Sequence, residues 1–228
     1  MTGHMKSGQT EIQRTILSIA GSHSPYEVFM DWIRCAALTI TNTTQRIHDQ
    51  IWQNREQLYI STISKYPEED RPRFADMMAW LFEELKEDPR DVLGEIFMTG
   101  NMGSEAGGQF FTPFDVSKLM ADITTNYQND SGIFTLNEPS CGSGGGIIAG
   151  ALALKDQGLN IQRYLKVVAQ DLDWNCVYMC YVQLSFLGIS AIVVQGNILT
   201  EPYEEGYPEE RIFRTPKSRG ALFREVIF

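Results

Sequence analysis

The sequence predicts an α/β protein in which a helical region precedes an open sheet of parallel strands, with that sheet only partly represented. Three observations carry this expectation. The run Asn137-Glu138-Pro139-Ser140-Cys141-Gly142-Ser143-Gly144-Gly145-Gly146 stands between the short β-rich stretch Ile133-Phe134-Thr135-Leu136 and the helix-like run Ile147 to Leu154. Two further apolar β-rich runs follow, Leu165 to Gln170 and Ala191 to Val194, with a helix-length segment before each, which is the spacing of crossover-connected parallel strands. Upstream of residue 100 the pattern is helical, punctuated by Pro25, Pro67, Pro72 and Pro89.

From about Glu11 to Thr99 the main helical candidates are Tyr26 to Thr39, Thr44 to Ile63, Arg71 to Lys86 and Asp88 to Phe97. In the third, Phe74, Met77, Met78, Leu81, Phe82 and Leu85 recur at helical spacing, the mark of core packing. The glycines of Asn101 to Gly108 read as a linker. A helix then starts at Pro113, with Thr112 as N-cap and Asp115 completing a capping box. Val116, Leu119, Met120 and Ile123 share one face of it, which is expected to dock against the sheet. The first strand begins at Ile133, and the helix after the glycine loop ends at Gly158. The second strand begins at Leu165, and Asp173 caps the buried helix Trp174 to Leu187 that Gly188 ends. The third strand begins at Ala191, and a charged tail starts at residue 201. The organisation read from the sequence is a helical domain over 1–100, an α/β domain over 101–200 and a tail over 201–228.

Glycines let a backbone turn sharply and approach a ligand, and a helix amino terminus presents unpaired N–H groups. The spacing Gly142-x-Gly144-x-Gly146 is not the G-x-G-x-x-G of dinucleotide enzymes, and no Gly-Lys-Ser/Thr follows it. A pyrophosphate is therefore disfavoured. The pattern suits an adenosine carrying a charged, phosphate-free tail, and S-adenosylmethionine meets that description. Asp171 stands at the carboxyl end of the second strand, where an acid can accept both ribose hydroxyls. The plain alternative for the loop is a Gly/Ser-rich surface turn.

The run from Asn137 to Gly146 resembles the Asp-Pro-x-Cys-Gly-Ser-Gly-Gly loop of the N6-adenine DNA methyltransferases, which include the modification subunits of type I restriction systems. Gly108-Gln109-Phe110-Phe111-Thr112-Pro113 is similar to the family's Gly-Gln-Phe-Tyr-Thr-Pro, and Asp91-Val92-Leu93-Gly94 to its Asp-x-Leu-Gly helix. Val167 to Leu199 is similar as well, so the resemblance covers Asp91 to Leu199. It implies a Rossmann-like S-adenosylmethionine-dependent sheet, with Phe111, Thr112, Glu138, Pro139, Cys141, Gly142, Gly144, Asp171 and Asn197 binding the cofactor. Phe111 and Thr112 would touch its amino-acid tail, and Glu138, in place of the usual Asp, would face the methionine ammonium. Asn197 replaces the acid that accepts from the adenine amine, and its carboxamide oxygen can accept the same bond with less charge assistance. The family's Asn/Asp-Pro-Pro-Tyr/Phe tetrapeptide does not occur in these residues, and no catalytic residue is named. The implied partner is DNA, engaged with the help of a partner subunit in a homo- or hetero-oligomer.

Composition bounds these expectations. With 228 residues and 43% hydrophobic content the chain can build a core. The net charge of −10 opposes a simple DNA clamp, because duplex affinity rests on phosphate neutralisation. The tail offers Arg211, Arg214, Lys217, Arg219 and Arg224 beside Glu201, Glu204, Glu205, Glu209 and Glu210, either a DNA-contacting arm or a self-neutralising solvated segment. His4, His23 and His48 with Cys35, Cys141, Cys176 and Cys180 form no metal-ligand pattern. Gly3-His4-Met5 reads as a cloning remnant, and with no membrane-length apolar run or signal peptide a cytoplasmic protein is expected. The functional expectation is a DNA adenine-N6 methyltransferase-like protein. The alternative is an inactive cofactor-binding regulator or subunit that needs a partner for methyl transfer, and the loop spacing disfavours a dinucleotide oxidoreductase.

Overall fold

A computed structural model describes residues 7–21, 23–100, 110–125 and 132–219. The expected linker Asn101 to Gly108, the residues Gly3-His4-Met5 and Arg224 lie outside the described residues. Helices α1 (Gly8–Ile19), α2 (Pro25–Thr44), α3 (Gln50–Ile63), α4 (Arg71–Glu87) and α5 (Val92–Thr99) come first. Side chains written into the sequence start most of them. Ser7 accepts from the Thr10 N–H, Asp49 from Trp52 and Asp91 from Gly94, while Ser24 and Glu27 form a reciprocal capping box ahead of Pro25. The Asp49 cap explains why α3 begins at Gln50 rather than at Thr44, which instead closes α2 with its hydroxyl bonded back to the Ile40 carbonyl.

Strands β1 (Phe134–Glu138), β2 (Leu165–Asp171) and β3 (Ser190–Gln195) run parallel in the order β1-β2-β3, and α7 (Gly145–Asp156), the short α8 (Ile161–Tyr164) and α9 (Trp174–Phe186) occupy the crossovers. This is the mixed α/β, Rossmann-like arrangement the sequence predicts. The β2 and β3 side chains are buried almost throughout, as expected of parallel strands covered on both faces. Helix α9 packs against β2, β3 and α2, which is why every residue from Cys176 to Leu184 is buried. One hydrophobic cluster therefore contains Phe29, Trp32, Leu93 and Phe97 of the helical region together with Ile147, Val167, Met179 and Ala191.

The structure departs from the sequence reading at two further elements. Helix α6 (Phe114–Thr124) has Pro113 as its N-cap, with φ −54° and ψ 137° and no side-chain capping bond, so the expected Thr112 cap and Asp115 capping box do not form. The helix also faces the other way. Ser117 and Ala121 are its buried positions, and Ala121 meets Ala149 and Ala153 of α7. Val116, Leu119, Met120 and Ile123 are 45%, 60%, 58% and 74% exposed. Small side chains let two helices approach closely, and that contact outweighs the larger apolar stripe.

The second departure is β4 (Ile212–Arg214), which pairs antiparallel with β3 through Ile192↔Arg214 and Val194↔Ile212, inside the segment read as a charged tail. Phe213 is buried against Trp174, Tyr178 and Tyr181, while Ile212 joins Ile192 and Val194 beneath Tyr203 and Tyr207. The surrounding charges pair locally, Arg211 with Glu201 and Arg214 with Glu209.

Candidate functional site

Glu138 ends β1 and Asp171 ends β2, so parallel pairing puts both carboxylates on the carboxyl rim of the sheet. The glycine loop crosses that rim. Cys141 donates its N–H to the Gln170 carbonyl at 3.0 Å, and the Gly142 N–H donates to Asp171 Oδ2 at 2.8 Å. Gly142 (φ +52°) and Gly144 (φ +100°) occupy the left-handed region that L side chains avoid. Space is short there too, because a Cβ on Gly142 would lie 3.1 Å from the Phe111 ring and one on Gly144 3.3 Å from Cys180 Sγ. The turn delivers the chain into α7, whose first-turn N–H groups have no intrahelical acceptor and no side-chain cap at Gly144.

A cavity of about 510 Å³ lies between this loop and α6. Its wall includes Phe111, Thr112, Glu138, Cys141, Gly142 and Asp171 among the sequence-predicted residues. Pro139, Gly144 and Asn197 are not part of that wall. Asn197 instead shapes the turn after β3, its Oδ1 accepting from the Leu199 N–H at 3.0 Å and its carbonyl accepting from Thr200 and Glu201. The wall also includes residues that sequence reasoning did not name as cofactor-binding, among them Ser117, Met120, Leu136, Asn137, Ser143 and Cys176. Only the three-dimensional meeting of α6, β1 and α9 brings them together.

The electrostatics are one-sided. Among the described residues no Lys, Arg or His lines the cavity. Burial pushes the Glu138 carboxyl above the usual carboxylate range, and the Asp171 charge adds to the shift, against one hydrogen bond from the Ser140 N–H. Asp171 accepts from Gly142 on one oxygen and from the Asp173 N–H at 3.0 Å on the other, which leaves further lone pairs on both. The hydrogen bond with Cys180, then burial, push the Cys141 thiol well up, so it stays neutral and packs rather than reacts. Phe111 stands over Gly142 and against Phe97, ring centroids 5.0 Å apart.

Behind the loop, Asp91 is 3% exposed. One of its oxygens accepts from the Gly94 N–H at 2.9 Å and from Gln183 Nε2 at 2.8 Å, and the other accepts from the Ser143 hydroxyl. Gln183 also donates to the Ser143 carbonyl at 2.8 Å and accepts from the Leu93 N–H at 3.1 Å. Among the described residues no group of His, Cys, Asp and Glu side chains could hold a metal ion, and no helix is long and apolar enough to cross a membrane.

A family model described as N-6 DNA Methylase matches residues 89–214, a span holding β1 to β4 and the whole glycine loop. Among solved structures, the chain is similar to the methyltransferase subunit of a type I restriction-modification system from Streptococcus thermophilus, at 18% identity and a TM-score of 0.45. That likeness covers 81% of this chain and 42% of the subunit, so the chain spans about two fifths of the subunit's length. No curated protein sequence matches it.

Proposed function

The chain belongs to the N-6 DNA methylase family, and from that premise we propose that it binds S-adenosylmethionine in the cavity between the glycine loop and α6 and serves DNA adenine-N6 methylation. The observation that carries the cofactor reading is the wall itself, in which Glu138 and Asp171 take part and, among the described residues, no basic side chain is present. Such a cavity repels phosphates and favours a cation. S-adenosylmethionine has no phosphate and bears a sulfonium and an ammonium, and the cavity volume falls in the usual range for small-molecule sites, roughly 300–1,000 Å³.

In this reading the free lone pairs of Asp171 receive the ribose hydroxyls, and Glu138 faces the ammonium. Thr112 and the first-turn N–H groups of α7 take the carboxylate, as helix amino termini do for anions. Phe111 covers the tail, while Pro139, Cys141, Gly142 and Gly144 set the curve of the loop. Asn197 lies toward the adenine edge, offering the lone pair of Oδ1 that Leu199 leaves free. The bound cofactor supplies an electrophilic methyl group, and these residues bind and orient it for an in-line approach by the adenine amine.

DNA as substrate, a partner subunit and an oligomeric assembly in the cytoplasm are parts of the same proposal, and the net charge of −10 supports the need for a partner to hold DNA. Of the division into 1–100, 101–200 and 201–228, the middle part supplies all the proposed cofactor ligands, while β4 joins the last part to the sheet. A second reading is a cofactor-binding chain that relies on a partner for methyl transfer; it is motivated by these 228 residues holding no Asn/Asp-Pro-Pro-Tyr/Phe run.

Calorimetric titration with S-adenosylmethionine and with its demethylated product tests the cofactor. Saturable one-to-one binding is expected, and absence of heat with both ligands would remove the proposal. Methyl transfer to adenine-containing duplex by the chain alone would then separate the first reading from the second.

A further inference from the structure

Between Cys141 and Ile147 the chain is Gly142-Ser143-Gly144-Gly145-Gly146, so Ser143 carries the one side chain by which this run can be held. A glycine run loses more conformational entropy on ordering than any other, and a loop meant to meet a ligand in one shape needs an anchor. The anchor is on the opposite element. We propose that Asp91 is the positioning residue of the glycine loop, acting through Ser143 and Gln183 to hold Gly142 to Gly146 in the curve that receives the cofactor. This inference rests on the cofactor reading above only for what the loop binds; the positioning itself is a property of the ligand-free chain.

The geometry uses both polar atoms of the Asp91 side chain. Asp91 caps α5 through Gly94 and takes the Ser143 hydroxyl on its other oxygen, while Gln183 of α9 donates to both Asp91 and the Ser143 carbonyl. One buried side chain thus ties α5, the loop and α9 together. The elements have made room for it. A Cβ on Gly145 would lie 2.9 Å from Asp91 Oδ2, and one on Gly94 would collide with the same carboxylate and lie 2.7 Å from Ser143 Oγ. Neighbouring Arg90 is bonded to Glu84, Asp88 and Glu95, so among the described residues no cation pairs with Asp91, which depends on its hydrogen-bond donors. Burial raises the Asp91 carboxyl above the usual range while its three donors pull the other way. A buried carboxylate costs stability unless it is well bonded. Its retention here is accounted for by the shape it imposes on the loop.

The test compares Asp91→Ala, Asp91→Asn and Ser143→Ala by amide hydrogen exchange of the ligand-free protein and by titration with S-adenosylmethionine. Asp91→Ala should speed exchange at Gly142 to Gly146 while the centre of α9 stays protected, and should weaken one-to-one binding about tenfold or more. Asp91→Asn should restore both, because its carboxamide oxygen still accepts from Gly94 and Gln183 while the Ser143 hydroxyl turns to accept from its NH₂. A purely structural role would lower the melting temperature of Asp91→Ala without changing the affinity of the folded protein, and that result, or wild-type loop exchange, overturns the inference. Should Asp91→Ala not fold, Ser143→Ala decides: faster loop exchange supports the inference and unchanged exchange overturns it. Wild-type protein that binds no S-adenosylmethionine would defeat the cofactor reading alone, and the exchange data would still judge the positioning.

Discussion

The Gly142 N–H donates to the Asp171 carboxylate at 2.8 Å, joining the turn after β1 to the end of β2. The acid therefore has two tasks at one position. It fixes the loop from below with one lone pair and keeps others for a ligand, as a carboxylate with about four acceptor sites can do.

Asp171→Ala should reduce affinity for S-adenosylmethionine by at least about tenfold, since it removes charge-assisted hydrogen bonds to the ribose and the loop tether together. Asp171→Asn keeps one acceptor and should fall between the two. Calorimetry measures both, and wild-type affinity in the alanine variant would sink the ribose assignment.

Gly144→Ala meets two obstacles, the left-handed backbone at φ +100° and a Cβ position 3.3 Å from Cys180 Sγ. A cost of about 1–3 kcal/mol is expected from the backbone conformation alone. The same change at Gly158, with φ +95° and open space around the new Cβ, should show the backbone cost without the steric one. Urea denaturation of the two variants side by side measures the difference.

These glycines were legible in the sequence because a glycine run between a strand-like and a helix-like segment fits a tight turn at a strand end and little else. Strands β2 and β3 and helix α9 were legible for a similar reason: each is buried on nearly all sides, and continuous apolar runs announce that. Strand β4 was not, because three residues are too few to show a period and their charged neighbours suggested solvent. The Asp91 to Ser143 and Asp91 to Gln183 bonds join residues 52 and 92 positions apart, and nothing local in the sequence marks such a pairing. The resemblance at Asp91-Val92-Leu93-Gly94 pointed to the right segment but not to its contacts.

Glu138 provides a pH test with a defined sign. Its carboxyl lies above the ordinary value in the folded chain, through burial first and the Asp171 charge second, so the protonated form favours folding. That contribution is fully present below the unfolded-state value of about 4.5 and is lost as pH rises through the elevated folded value. Glu138→Gln removes the ionisation, so its melting temperature relative to wild type should rise between acidic and neutral pH. Affinity for a cationic ligand should fall at neutral pH in the same variant. Thermal scans at two pH values and one titration check both arms, and a variant less stable than wild type only at neutral pH would contradict the assignment.

Helix α6 supports a prediction in which the larger side chains matter less than the small ones. Leu119 and Ile123 are 60% and 74% exposed, so Leu119→Lys and Ile123→Lys should alter stability by no more than about 0.5 kcal/mol, the usual range for surface changes. Ala121 is 8% exposed and faces Ala149 and Ala153, and an Ala121→Leu side chain would have to force α6 away from α7. Overpacking of that kind costs about 1–3 kcal/mol. Because Ala121 and Met120 also belong to the cavity wall, the displaced helix should weaken S-adenosylmethionine binding in Ala121→Leu while Leu119→Lys leaves it unchanged. Denaturation midpoints and titrations on the three variants decide the point. Strong destabilisation by either lysine would mean that the apolar stripe is packed in solution and that α6 docks as its helical periodicity predicts.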